Sequence, residues 1–68
     1  MFEASLMTHY KIEITKLENG NETPCREDGL SLSWLIGRLE EFAGYTNIIE
    51  ATAYASRDGG LSWKQIGA

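Results

Sequence analysis

His9 and Cys25 are the single histidine and single cysteine of the chain, and a cysteine with a histidine is the residue pair of nucleophilic catalysis. Such a pair needs hydrogen-bond reach, and the intervening sequence sets how far apart the two stand. Tyr10, Ile12 and Ile14 alternate with Lys11, Glu13 and Thr15, the period-two pattern of a half-buried strand. Asn19-Gly20 follows, the dipeptide that best suits a two-residue hairpin loop because both central residues of a type I′ turn take positive φ. That loop sets Glu18 opposite Asn21 and Cys25 opposite Ile14. His9 then lies roughly 16 Å along the strand, at about 3.3 Å per residue. Cys25 therefore reads as a small apolar side chain at the core margin, and His9 as a solvated residue at a strand start. Two potential soft ligands also fall short of the four that a structural zinc site takes. No metal or cofactor is expected.

The carboxylate pairs Glu27-Asp28 and Glu40-Glu41 do not read as acid–base machinery either. Such work needs two carboxylates aimed at one cleft from unlike surroundings, and neighbours one apart on a helix do not face each other. The glycine-containing turns hold neither a Walker A loop nor a G-x-G-x-x-G. The expectation is a protein that is not an enzyme.

Sixty-eight residues with a formal charge of −4 make one small acidic domain with a thin core. Lys11, Lys16, Arg26, Arg38, Arg57 and Lys64 are scattered, whereas direct nucleic-acid binding needs clustered cations. The charge balance favours a basic protein surface over nucleic acid as partner. No apolar run reaches the roughly 20 residues of a membrane span. The start carries no basic, then apolar, signal pattern, so residues 1–8 read as a flexible leader and residues 9–68 as the domain. One cysteine fits a reducing, cytoplasmic setting.

The elements that must position any site follow from the pattern. Tyr10 to Leu17 is the first strand and Glu22 to Glu27 the second, with Pro24 confining the latter to a sheet edge and Asp28-Gly29 ending it. Ser31 or Ser33 caps a helix whose apolar stripe is Leu32, Leu35, Ile36, Leu39, Phe42 and Ala43, with Gly44 as its stop. Gly37 mid-helix suggests close approach of a strand or partner. Asn47 to Ser56 is the third strand, with Ile49, Ala51, Ala53 and Ala55 on one face and Ile48, Glu50, Thr52 and Tyr54 on the other. Leu61 to Ile66 is the fourth strand, and Gly67-Ala68 frays. The fold expected is α+β, a four-stranded antiparallel sheet in the order 2-1-3-4 with one helix on one face. Tyr54, Thr52 and part of the first strand line the open face.

Ser56-Arg57-Asp58-Gly59-Gly60-Leu61-Ser62-Trp63 resembles the Asp-box, the S-x-D-x-G-x-[ST]-W hairpin repeated in sialidases and other propellers. The resemblance covers eight residues and implies a structural turn. In it Asp58 satisfies turn N–H groups, Gly60 takes a positive φ and Trp63 packs at the hairpin base. One copy argues against a propeller, and nothing catalytic carries over.

From Tyr10 to Ile66, size and element order are similar to those of small anti-CRISPR proteins, accessory proteins of phages and mobile elements. That resemblance implies a stoichiometric inhibitor docking its carboxylates on a basic, nucleic-acid-binding surface of a bacterial defence complex. Glu27, Asp28, Glu40, Glu41 and Glu50, with the aromatics Tyr54 and Trp63, are the candidate partner-binding residues. The alternative is a self-associating structural or regulatory domain, a homodimer built on exposed sheet edges.

Overall fold

Asn19 and Gly20 both take positive φ, 52° and 80°, and close the first hairpin in the register that their type demands. In the computed structural model, which describes residues 8–67, β1 (His9–Glu18) and β2 (Asn21–Gly29) pair with Glu18 opposite Asn21 and Cys25 opposite Ile14. The helix α1 (Leu32–Ala43), then β3 (Ile48–Ser56) and β4 (Lys64–Gly67), complete an antiparallel sheet of order β2-β1-β3-β4. Pro24 therefore sits on an edge strand, where its missing N–H costs no ladder bond. Apart from Thr8, the leader expected over residues 1–8 lies outside the described residues, as does Ala68.

Ser31 caps the helix. Its backbone is extended, its hydroxyl accepts the Trp34 N–H at 3.1 Å, and its carbonyl accepts the Leu35 N–H at 3.2 Å. The other end closes on short-range bonds from Gly44 N–H to the Glu41 carbonyl and from Tyr45 N–H to the Phe42 carbonyl. Gly44 itself has φ −91°, so the stop uses a tightened last turn and not a left-handed glycine. The core comprises Ile12, Ile14, Leu35, Phe42 and Ala53, with Cys25, Leu39, Ile48 and Ala51 packed around it. Small residues on β3 let the helix settle close, as expected from the alanine row.

Six details differ from the expectations. β2 runs on through Asp28 to Gly29, because Asp28 and Gly29 still pair with Lys11 and Tyr10. A bulge opposite Thr15 and Lys16 adds one residue to β3, which turns Ile48 inward and leaves Ile49 52% exposed, the reverse of simple alternation. β4 begins at Lys64, since Leu61, Ser62 and Trp63 belong to the preceding turn, and Gly67 pairs with Ala53 without fraying. Only Leu35 and Phe42 of the helical stripe are fully buried; Leu32, Ile36 and Ala43 face outward, because the helix lies over β1 and β3 and β4 extends past it. Beyond the helix's own backbone nothing stands within 4 Å of where a Cβ on Gly37 would lie, so no strand approaches there.

Candidate functional site

With Ile12 and Ile14 turned to the helix, alternation places Lys11, Glu13, Thr15 and Leu17 on the opposite, uncovered face. Register then adds Glu22, Pro24, Arg26 and Asp28 from β2 and Glu50, Thr52 and Tyr54 from β3. Four carboxylates (Glu13, Glu22, Asp28, Glu50) meet two cations (Lys11, Arg26) on this face.

Lys11 is the centre of the face. It is 9% exposed, with its Nζ 4.9 Å from the Tyr54 ring centroid, 4.7 Å from that of Trp63 and 2.8 Å from Glu13 Oε2. Two aromatic faces and a carboxylate compensate a charge that would otherwise be costly to enclose. Arg26 lies 5.8 Å from the Trp63 ring and donates to Asp28 Oδ1 at 2.8 Å. Tyr54 and Trp63 are therefore joined through Lys11; the residue directly across from Tyr54 is Gln65. Beside them a shallow depression of about 590 Å³ is bordered by Glu13, Thr15, Pro24, Glu50, Thr52 and Tyr54.

The turn before Trp63 fixes that ring. Ser56 Oγ donates to Asp58 Oδ1 at 2.7 Å and accepts the Gly60 N–H at 2.9 Å. Asp58 in turn accepts the Ser62 N–H at 2.9 Å and the Ser62 hydroxyl at 2.6 Å. The hydroxyls of Ser62 and then Ser56 hold the Asp58 carboxyl well below the usual carboxylate range. Gly59 and Gly60 take φ of 77° and 96°, and a Cβ on Gly60 would touch the Trp63 ring at 3.6 Å. The roles expected of Asp58 and Gly60 are met, and Trp63 packs across the sheet onto Lys11.

The candidate residues divide between surfaces. Asp28, Glu50, Tyr54 and Trp63 share the open face. Glu27 points to the helix side, where Arg38 Nε and Nη2 grip its carboxylate at 2.8 and 2.9 Å. Glu41 also bonds Arg38, and these partners, Glu27 foremost, raise the guanidinium pKa above its ordinary value. Glu40 stands exposed on the outer helix surface. Sequence reasoning passed over Lys11 and Arg26 as parts of a site. The hairpin register already paired Lys11 with Asp28 and Glu13 with Arg26, and that alternation of charge was the available signal.

Cys25 pairs with Ile14 and packs at the core margin, five residues along β1 from His9. His9 is half-buried and not freely solvated: its Nδ1 is enclosed with no hydrogen-bond partner, where His9 pairs with Ser56 at the sheet's end. Among the described residues no group of three or more His, Cys, Asp or Glu side chains could hold a metal ion, and no helix is long and apolar enough to cross a membrane. Comparison with known proteins finds no family model, no curated protein and no solved structure that matches this chain.

Proposed function

We propose that this chain is a non-catalytic protein-binding domain whose open sheet face docks on a basic surface of another protein. One observation carries the reading. That face presents four carboxylates against two cations, and one of the cations, Lys11, is enclosed by Tyr54, Trp63 and Glu13. What an approaching molecule meets is negative charge around a rigid aromatic centre. Aromatic anchors inside a polar rim are the usual composition of a protein contact, and acidic rims steer basic partners. The broad, shallow relief suits a flat partner better than a small substrate.

In size and element order the chain is similar to anti-CRISPR proteins, and the biological setting we propose follows from that. The partner is a bacterial defence complex, the surface one that holds nucleic acid, and the outcome stoichiometric inhibition in the cytoplasm. Within this reading Asp28, Glu50, Tyr54 and Trp63 make the contact because they share the open face, where Asp28 spends one oxygen on Arg26, whereas Glu27, Glu40 and Glu41 lie on the helix side, two of them bonded to Arg38.

The test is capture of such a complex by tagged chain, followed by paired reversal of Asp28→Lys and Glu50→Lys. The expected result is at least about tenfold weaker binding at low salt, with the wild-type interaction fading as salt rises. Undiminished binding by the double variant at low salt would remove the proposal.

A further inference from the structure

A second surface lies on the other side of the molecule and goes beyond the proposed partner contact. The helix is tied to β2 on one flank by Arg38 and Glu27. At 3.6 residues per turn, Leu32, Ile36 and Glu40 project from the opposite flank, toward β4. Leu32 is 52% exposed and Ile36 49%. On the neighbouring strand Ile66 is 48% exposed, and Lys64 sits opposite Ala55. The heights agree: Trp34 rests against Gly29, Gly29 pairs with Tyr10, Tyr10 with Ala55, and Ala55 with Lys64. The start of the helix and the start of β4 thus lie at one level of the sheet. Among the described residues neither Glu40 nor Lys64 forms an ion pair.

We propose that a second copy of the chain occupies this flank, its helix antiparallel to the first about a twofold axis near Ile36. A twofold contact needs a patch complementary to itself, so that opposite charges sit on the same surface. Here an apolar centre of Leu32 and Ile36 is flanked by Glu40 and Lys64. Antiparallel helices crossing at Ile36 bring Glu40 beside the second copy's Leu32, at the level of that copy's Lys64. The axis repeats the pairing, so two apolar side chains from each copy lie between two ion pairs. The described core of five buried apolar residues gains from such cover, and the flank sets cations, Lys64 with Arg57 beside it, within one surface that also carries Glu40, although the chain as a whole is −4. The open face stays free.

Sedimentation of the whole chain from micromolar to submillimolar concentration tests this. A reversible monomer–dimer equilibrium is expected, and Ile36→Glu is expected to weaken it at least about a hundredfold, because a carboxylate would be buried in the apolar centre. Glu40→Lys or Lys64→Glu alone should weaken it about threefold to fivefold, as rim charges do, and the two together should restore it. Leu17→Glu, on the open face, should leave it unchanged. The charge pair is exposed, so its test does not depend on whether Ile36→Glu folds. A monomer throughout the range, or a dimer indifferent to Ile36→Glu and to both charge reversals, would overturn the proposal. Failure here would leave the open-face reading standing, since the two surfaces share no residue.

Discussion

Arg38 holds Glu27 through two nearly parallel hydrogen bonds of 2.8 and 2.9 Å, and this pair is the polar tie between the helix and the edge strand β2. A planar fork meeting a carboxylate is the strong form of such a contact, although both side chains keep about a third of their surface in water. The guanidinium also lies 4.7 Å from the Phe42 ring centroid, so its carbon stem covers the core.

A double-mutant cycle of Glu27→Ala and Arg38→Ala, followed by urea unfolding, should therefore give a favourable coupling that shrinks as salt rises. Arg38→Ala should cost more than Glu27→Ala, because it also strips cover from Phe42. Arg38→Lys should recover only part, since an ammonium cannot make both bonds in one plane. Additive single variants would show that the pair is ornamental.

Two glycines should respond oppositely to alanine. At Gly29 a Cβ would collide with the Trp34 indole, and the ring has little room to yield beside the core. Gly29→Ala should cost about 1–3 kcal/mol as overpacking does, with a change in Trp34 fluorescence. At Gly37 a Cβ meets open space on an exposed helix position, so Gly37→Ala should stabilise by up to about 1 kcal/mol. Urea midpoints for both variants, measured at low protein concentration, check the pair; equal signs would contradict this packing.

Asp58 gives the turn a pH dependence. Its folded-state carboxyl binds protons less readily than it does in the unfolded chain, because Ser62 and Ser56 donate to the ionised form. The unfolded state thus takes up protons first as pH falls. The stabilisation is complete above roughly pH 5 and is lost progressively on acidification toward the folded pKa. Thermal unfolding from neutral to acid pH should show that loss, and Asp58→Asn should flatten it. A wild-type curve that keeps its stability down to the lowest pH would contradict the hydrogen-bonded turn.

The local elements were legible in the chain because each carries its own stereochemical requirement. Asn19-Gly20 takes the positive φ pair of a type I′ turn, and that alone sets the register of β1 on β2 down to Cys25 opposite Ile14. Ser31 carries the hydroxyl that caps the helix, Pro24 admits only an edge, and Ser56 and Asp58 hold the second turn within a few residues of one another. Sheet order followed from two hairpins and one crossover helix.

Tertiary structure alone decided what joins distant segments. The bulge that turns Ile48 inward and Ile49 outward depends on how β3 slides against β1, and alternation within β3 holds no trace of it. Lys11 meets Tyr54 and Trp63 only once β1, β3 and the Ser56–Trp63 turn are assembled, because cation and rings come from strands far apart in the chain. The half-exposure of Leu32 and Ile36 likewise reflects where the helix rests across the sheet, over β1 and β3 and short of β4, since helical period states which residues share a side but not how much of that side a neighbour covers.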